Sequence, residues 1–399
     1  MIQAAGWIQS KGWAAKHLGE DEMTWVVEAA QTLVQKEPAN PPGNELPAAV
    51  WAAQQLEACG FDVVLDRFGE SRANVIAVYG NPDDIGIVFY GHLDVVPVFG
   101  SPKEPLGALK DGLLHGRGAA DMLGGCAAIL ATGGVVARSG FQGLKGVALL
   151  FVSDEEQFNG GMRRIFDEGK PESVNLSAIA KADAAIVAEP TGLQVQLGNR
   201  GFTSFYIRTH GKAAHSSSPA NGVNAIYKMA PILSRLERFC KELEKDSHKW
   251  LGPSTLNVGT IRGGLLLNTI PDFCEIEVER RILPGTTPDM AFADFQKIVG
   301  ADGEVHRRST LYPSWIDEDH PLTLAALDAV SEFSSEKSEV AGFIGCTEAG
   351  FFSERLGIPT ILLGPGSISQ AHVENEYCKV SQIKECTRIF AALTHYYMR

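Results

Sequence analysis

Four short apolar segments constrain the fold of this 399-residue chain more than any other feature of its sequence. Each is rich in branched aliphatic residues, and helix-like segments separate them along the chain. Strands that helices cover on both faces have this composition, and their alternation with helices is typical of an α/β sheet. The four segments are IGIVFYGH (85–92), VALLFVSDEE (147–156), AAIVAEP (184–190) and IPTILLGPG (358–366).

The pattern changes between residues 191 and 310. GFTSFYIRTHG and FCEIEVERRI alternate apolar with polar residues, as expected of a sheet with one face in water. Two amphipathic helical segments and a final EVHRR strand complete a βαββαβ order, the split-βαβ arrangement. Because the α/β pattern then resumes, we expect a small α+β domain (191–310) inserted into a larger α/β domain (1–190 and 311–399).

Composition and charge exclude several classes of partner. The net charge is −13 and no basic stripe occurs, which argues against nucleic acid. The seven cysteines include no CxxC pair, so we expect reduced thiols and a cytoplasmic protein. The N-terminus lacks the apolar core of a signal peptide. No apolar run approaches the roughly 20 residues of a membrane span, so we expect no membrane partner either.

Potential metal ligands lie at the ends of three of the four apolar segments, and others lie in glycine-rich stretches. Ligands of open α/β sheets bind beyond the carboxyl ends of the strands, so we expect these side chains to meet there. The candidates are His92 at the end of the first segment with Asp94 just beyond it, Asp154, Glu155 and Glu156 at the end of the second, Glu189 at the end of the third, Asp121 in HGRGAADMLGG and His372 after LGPGSISQ.

These residue types indicate hydrolytic metal chemistry. Two histidines and several carboxylates, without cysteine at the strand ends, suit a borderline divalent ion such as zinc. A carboxylate can bridge two ions about 3.5–4 Å apart, and such a pair activates water. One of the adjacent acids Glu155 and Glu156 can bind metal while the other acts as general base. Asp94 lies two residues beyond His92, so we expect it to face the same side and hydrogen-bond its ring.

The chain resembles the M20 family of metallo-aminoacylases and peptidases, especially its acetylornithine deacetylase and succinyl-diaminopimelate desuccinylase branch. The resemblance covers nearly the whole chain and implies a zinc-exopeptidase-like fold, a mixed sheet between helices. It also implies that the 191–310 insertion is a ferredoxin-like lid that makes a dimer contact. The motifs that carry it, in the order of the family, are PPGNE, GHLDVVP, GRGAADMLGG, SDEE, AEPT, GKAAHSSSPANGVNAI, ERRILPG, CTEAGFF and AHVENEY.

The resemblance implies a role for each candidate. His92 and Glu189 would bind one ion, Glu156 and His372 the other, and Asp121 would bridge the two. The remaining implied roles are Glu155 as the general base for the metal-bridging water, Asp94 as the acid behind His92, His215 as a lid histidine that polarises the scissile carbonyl in a neighbouring subunit, and Arg281, Asn268 and Arg200 as residues for the substrate carboxylate or the oxyanion.

We therefore expect a homodimeric enzyme with two divalent ions, zinc or else cobalt or manganese. It would hydrolyse the amide between a small acyl group, or an amino acid, and an amino acid with a free carboxylate. A carboxypeptidase or dipeptidase remains open within the same chemistry. A binding protein on a decayed hydrolase fold is disfavoured because every ligand position is present, and a serine hydrolase because no GxSxG elbow occurs.

Overall fold

The structure, a computed structural model, describes residues 4–399, with side chains from residue 6 onward. The chain forms two compact units. The larger unit comprises the chain up to Gly198 together with Trp315–Ala341 and Phe351–Arg399, and the inserted unit comprises Asn199–Ser314 and Gly342–Gly350. The expected limits of 191 and 310 thus differ by a few residues, and the second segment of the inserted unit has no signal in the sequence pattern.

The helices of the two units share one numbering. They are α1 Ala4–His17, α2 Glu20–Gln35, α3 Leu46–Cys59, α4 Gly124–Arg138, α5 Gly160–Phe166, α6 Leu176–Ile179, α7 Ala225–Leu243, α8 Pro288–Val299, α9 Pro321–Phe333 and α10 Val380–Tyr397.

The strands are numbered in the same way. They are β1 Asp62–Phe68, β2 Arg72–Tyr79, β3 Ile85–His92, β4 Leu109–Lys110, β5 Leu113–His115, β6 Gly146–Val152, β7 Ala184–Val187, β8 Val195–Asn199, β9 Gly201–His210, β10 Ser247–His248, β11 Gly252–Pro253, β12 Thr255–Gly263, β13 Phe273–Ile282, β14 Glu304–Leu311, β15 Ser314–Trp315, β16 Val340–Phe343, β17 Thr360–Leu362 and β18 Tyr377–Lys379.

The four apolar segments of the sequence are the central strands of a nine-stranded mixed sheet. Its order is β1-β2-β6-β3-β7-β17-β8-β15, with β16 also paired to β8. Strands β6, β3, β7 and β17 run parallel to one another, and every residue of all four is buried. The predicted fold class is confirmed. Because these strands are parallel, their carboxyl ends lie at one edge of the sheet.

Local signals in the sequence explain where the first helices start and stop. Helix α2 begins at Glu20, where Glu22 turns back to accept a hydrogen bond from the backbone amide of Gly19 at 3.0 Å. Helix α3 ends at Cys59, before Gly60, whose left-handed backbone (φ +91°) forms the C-terminal cap typical of glycine. Helix α1 was not predicted.

One expectation about apolar runs is wrong. Residues Ala119–Arg138, which include α4, are long and apolar enough to cross a membrane by length and composition alone. The 18-residue apolar window within it is wholly buried inside the larger unit, where α4 packs against β3, α2, α3 and α10, and Arg138 at the end of the helix is exposed. Its uniform apolarity therefore reflects burial on all sides of a core helix.

The inserted unit has the predicted βαββαβ order, built from β9, α7, β12, β13, α8 and β14. Its four strands pair antiparallel in the order β12-β13-β9-β14, so β12 is an edge strand. Cys274, Ile276 and Val278 of β13 face the core with α7 and α8, while the alternating glutamates face the other side, as predicted.

Candidate metal centre

The five predicted ligands form two groups that share Asp121. One group is His92, Asp121 and Glu189, the other is Asp121, Glu156 and His372, and within each group the ligand atoms lie within 4.8 Å of one another. The two oxygens of Asp121 face different histidines: Oδ1 is 3.2 Å from Nε2 of His92, and Oδ2 is 3.5 Å from Nε2 of His372. A carboxylate in this position can bridge two cations.

Strand ends and tight turns bring these side chains together. His92 is the last residue of β3, and Glu189 follows two residues after β7. Asp121 lies in an irregular turn that leads into α4, and a Cβ at Gly125 in the first turn of that helix would lie 2.4 Å from the carbonyl oxygen of Ala188. Glycine at position 125 therefore allows the Asp121 segment to approach the Glu189 segment.

The ring of His92 is oriented by a backbone group, which corrects the predicted contact with the Asp94 carboxylate. Nδ1 of His92 lies 2.9 Å from the carbonyl oxygen of Asp94 and 3.8 Å from its carboxylate oxygen Oδ1. Because a carbonyl can only accept, Nδ1 donates to it and Nε2 faces Asp121, so loss of the Nε2 proton would leave the tautomer protonated on Nδ1. A metal ligand needs this tautomer.

The Asp94 carboxylate instead binds the turn that follows β6. Its Oδ1 accepts a hydrogen bond from the backbone N–H of Glu155 at 3.1 Å, and its Oδ2 accepts one from Glu156 at 3.0 Å. Strand β3 ends at His92, so strand alternation does not extend to Asp94. The acid therefore orients Glu155 and Glu156 as well as lying behind His92.

The centre is electrostatically unbalanced without a cation. Burial raises the pKa of Glu156, and the nearby Asp121 carboxylate raises it further. The hydrogen bond that His372 donates to Glu156 raises the pKa of His372. Burial opposes protonation of His92, yet Asp121, Glu155 and Glu189 together hold its pKa well above the usual value. The cluster thus favours positive charge between its carboxylates.

The donor set fits divalent metal ions. Each group offers one imidazole and two carboxylates, which is the ligand chemistry of zinc and of other borderline ions. His92, Asp121 and Glu189 are all buried, whereas the His372 side chain is 49% exposed. The second group is therefore the one open to solvent.

Four further residues contact the acids of the centre, and the motifs in the sequence predicted a role for none of them. Glu376 and Arg117 form a buried ion pair beside Asp121, and Asn40 and Arg72 contact the acids around Glu155. Asn40 directly precedes the motif PPGNE, and Glu376 lies within AHVENEY. Their order in the chain was the available signal, but hydrogen bonds between such distant segments are visible only in the structure.

The inserted unit brings His215 and Asn268 together. The backbone N–H of Ser216 donates to the carbonyl oxygen of Asn268 at 3.0 Å, and His215 pairs with Thr269 in an isolated bridge. Nδ1 of His215 accepts a hydrogen bond from the backbone N–H of Ser217 at 3.2 Å. An accepting Nδ1 leaves the proton on Nε2, so this exposed histidine presents an N–H donor.

The two predicted arginines are already engaged within the inserted unit. Arg281 donates from Nε to Glu279 at 2.8 Å and from Nη1 to the sulfur of Cys346 at 2.8 Å. Arg200 donates from Nε to the carbonyl oxygen of Leu251 at 2.6 Å. Arg281 is one-third exposed, and binding of a substrate carboxylate there requires it to exchange or share these partners.

Residues 88–396 match the sequence model of peptidase family M20/M25/M40. Among curated proteins, the acetylornithine deacetylase of Myxococcus xanthus is 30% identical over 369 residues, which is 88% of this chain and 92% of that protein. The similarity thus extends over nearly the full length of both chains.

Solved structures of the same family share the fold. The M20 family metallo-carboxypeptidase Sso-CP2 of Sulfolobus solfataricus superposes with a TM-score of 0.74 at 18% identity, covering 95% of this chain and all of that one. The YXEP protein of Bacillus subtilis, described as a dinuclear metal binding peptidase, gives a TM-score of 0.67 at 15% identity, covering 94% and 98%. At these identities the comparisons show the architecture.

Proposed function

This chain belongs to peptidase family M20/M25/M40, and we propose that it uses two divalent metal ions to hydrolyse the amide bond of an N-acyl amino acid. It is a metal-dependent amidohydrolase. The observation that carries the proposal is the pair of ligand groups sharing Asp121, each with one histidine and two carboxylates. Its similarity to an acetylornithine deacetylase supports an acyl amino acid as the substrate.

His92, Asp121 and Glu189 would hold one ion, and Asp121, Glu156 and His372 the other. Bound metal would polarise the substrate carbonyl and lower the pKa of the attacking water. Glu155, next to the ligand Glu156, would take the proton from that water and return it to the leaving nitrogen. His215 would donate its Nε2–H to the oxyanion, a role that the tautomer supports.

The substrate carboxylate would bind in the inserted unit. Arg281 is the proposed cation there; its side chain is partly exposed, and an arginine fork can donate two parallel hydrogen bonds. The loop of Asn268 is hydrogen-bonded to the loop of His215 through Ser216, and Asn268 would contact the carboxylate or the oxyanion. Arg200 is a second candidate for the substrate carboxylate or the oxyanion and would have to share or exchange the backbone carbonyl of Leu251 that it binds.

A carboxypeptidase or dipeptidase is the second candidate, and the fold shared with a metallo-carboxypeptidase supports it. A panel of N-acetyl amino acids, N-succinyl amino acids and dipeptides on metal-replete enzyme separates the two. The proposal expects kcat/KM for an N-acyl amino acid to exceed that for any dipeptide. Preference for dipeptides would contradict the deacylase assignment, and no hydrolysis of any amide would contradict the proposed function.

Zinc is the proposed native metal because the imidazole and carboxylate set suits it. Elemental analysis of protein purified without added metal, followed by reconstitution with zinc, cobalt or manganese, tests this. Two zinc ions per chain and highest activity with zinc are expected. Two bound ions of another metal would change only the assigned identity of the metal, whereas the absence of any metal binding would contradict the dinuclear site.

The proposed assembly is a homodimer formed through the inserted unit. Its edge strand β12 offers backbone groups for pairing with a second copy. Tyr227, Leu265 and Leu267 beside it are 77%, 95% and 102% exposed and line a cleft of about 770 Å³. Large exposed apolar residues in such a cluster mark an interaction surface.

Light scattering tests the dimer. Wild-type protein is expected at twice the mass of one chain, and Tyr227→Glu is expected to shift it towards the monomer. Leu144→Glu, at a 79% exposed position in the larger unit, is the matched control. A monomeric wild type, or a dimer that both variants leave intact, would count against this surface.

We also propose a cytoplasmic location, since the seven cysteines are thiols and not disulfides, and thiols persist in a reducing compartment.

A further inference from the structure

A buried network of polar side chains holds the turn that carries Glu155 and Glu156. Asp94, which is fully buried, binds the backbone amides of both residues. Since the backbone determines where each side chain begins, the position of this one carboxylate sets the starting points of the proposed base and of its neighbouring ligand.

Asn40 fixes the Asp94 carboxylate from the other side. Its Nδ2 donates at 2.9 Å to Oδ2 of Asp94 and at 2.9 Å to Oδ1 of Asp154. Its backbone amide also donates to the carbonyl of Val95 at 2.8 Å, which fastens it beside Asp94. Asn40 is 1% exposed, so water does not compete for these bonds.

Arg72 completes the network. Its Nη2 donates to Oδ1 of Asn40 at 2.8 Å, and its Nη1 lies 2.8 Å from Oδ1 of Asp154. A Cβ at Gly43, where φ is +97°, would lie 2.2 Å from Nε of Arg72. Glycine in the PPGNE segment is therefore needed for the guanidinium to reach this position.

Asp154, directly before Glu155, has a left-handed backbone with φ of +73°. A non-glycine residue adopts this conformation only when its surroundings enforce it. Asn40 and Arg72 hold one carboxylate oxygen of Asp154, and the backbone N–H of Gly160 donates to the other at 3.2 Å. The turn is thus held on both sides of Glu155.

We propose that Asn40 and Arg72 are positioning residues for the Glu155–Glu156 turn and act through Asp94 and Asp154. The inference rests on the proposed function, because Glu155 is the base and Glu156 a ligand only within it. When Asn40 or Arg72 is removed, the turn relaxes and both carboxylates move. Proton transfer then slows, and the ion held by Glu156 and His372 binds more weakly than the ion held by His92 and Glu189.

The variants Asn40→Ala and Arg72→Met test this in the full-length protein. Loss of a hydrogen bond that orients a metal ligand costs about 10- to 100-fold in metal affinity or activity. At saturating zinc we therefore expect kcat to fall about 10- to 100-fold, with KM unchanged within about two-fold. A zinc titration should show one of the two ions weakened by a similar factor and the other retained.

Two controls separate positioning from a general structural role. Arg164→Met removes an arginine of similar burial that donates from Nε and Nη2 to Asp66, away from the turn, and should lower the unfolding temperature without changing kcat or zinc affinity. Arg72→Lys keeps the cation but lacks the planar fork that reaches Asn40 and Asp154 together, so its kcat should lie between wild type and Arg72→Met. It also serves if Arg72→Met fails to fold.

The outcomes distinguish this inference from the proposed function. If Asn40→Ala and Arg72→Met lose stability as Arg164→Met does but keep kcat and both zinc affinities, the positioning role is overturned. Equal weakening of both ions overturns it too, because Asn40 holds the Asp94 side chain, which binds the Glu155–Glu156 turn, whereas His92 is bound by the backbone carbonyl of Asp94. A wild type that binds no zinc and cleaves no amide contradicts the proposed function instead.

Discussion

The carboxylate of Glu376 accepts a hydrogen bond from the backbone amide of Asp121, at 3.1 Å from Oε1. The same oxygen accepts from Ala120 at 3.0 Å, and Oε2 lies 2.6 Å from Nη1 of Arg117. Glu376 and Arg117 are 2% and 6% exposed. One buried acid thus neutralises a buried cation and fixes the segment that presents the proposed bridging carboxylate.

Replacement of that acid is expected to affect both stability and metal binding. Glu376→Gln leaves Arg117 buried without a counter-charge, which costs about 3–5 kcal/mol of unfolding free energy. Because the Asp121 segment loses its anchor, both metal ions should bind more weakly. Urea denaturation and zinc titration measure the two effects. Glu374→Gln, at an exposed position two residues away, should change neither. Retained stability together with retained affinity in Glu376→Gln would refute the assigned role.

The sharing of Asp121 predicts distinct metal stoichiometries. Glu189→Ala should bind one ion per chain and His372→Ala also one, because each substitution removes a ligand from a single group. Asp121→Ala should bind neither ion tightly, because this residue belongs to both groups. Elemental analysis after dialysis against a fixed chelator concentration gives the counts. Two ions retained in Asp121→Ala would be incompatible with a bridge.

The general base is tested by a substitution that keeps the shape of the side chain. Glu155→Gln cannot accept the proton from water, so turnover is expected to fall about 10²- to 10⁴-fold. Its backbone amide still donates to Asp94, so both metal ions should remain. The measurement is kcat at saturating metal beside the zinc content. Near wild-type turnover with full metal content would show that another group is the base.

Docking of the N-terminal helix should weaken in acid. Burial, with Arg399 and His17 nearby, lowers the pKa of His395 to about 4 from the usual 6.5. Its ring stacks on Trp13 at 4.8 Å, and its Nδ1 lies 2.9 Å from the hydroxyl of Ser10. The folded protein therefore favours the neutral ring, while the unfolded chain takes up a proton near pH 6.5.

The direction of the pH dependence follows from this difference in the His395 pKa between the folded and unfolded states. The contribution of His395 to stability is complete above pH 6.5 and is lost as the pH falls towards 4, because the unfolded state then binds more protons. Urea unfolding of wild type and His395→Phe at about pH 7.5, 5.5 and 4.5 measures this loss as the pH falls through the unfolded pKa towards the folded one. The stability of the variant should fall less over this range. His210→Phe, at an exposed position, should follow the wild type. Parallel curves for wild type and His395→Phe would contradict the prediction.

Secondary structure and the grouping of ligands could be predicted where the signal was local. The four buried strands could be identified by their apolar composition, because burial on both faces constrains every residue. Strand β13 could be identified by its alternation of apolar and polar residues, because only one face is buried. Helix α4 was misjudged as too short an apolar run, since apolarity alone does not distinguish a core helix from a membrane span. The predicted contact between the Asp94 carboxylate and the His92 ring assumed that the strand continues to Asp94, but the strand ends at His92.

The sequence by itself determined the fold class, the family and the residue types of a two-metal hydrolase. Strand composition and the motifs can be identified along the chain without knowing which segments meet in the fold. The tertiary structure decided which atoms meet. It directs Oδ1 of Asp121 to His92 and Oδ2 to His372, and it gives the carboxylate of Asp94 to the turn rather than to the ring. Hydrogen bonds such as those of Asn40 and Glu376 join segments 54 to 256 residues apart. Only the folded backbone brings those segments within bonding distance.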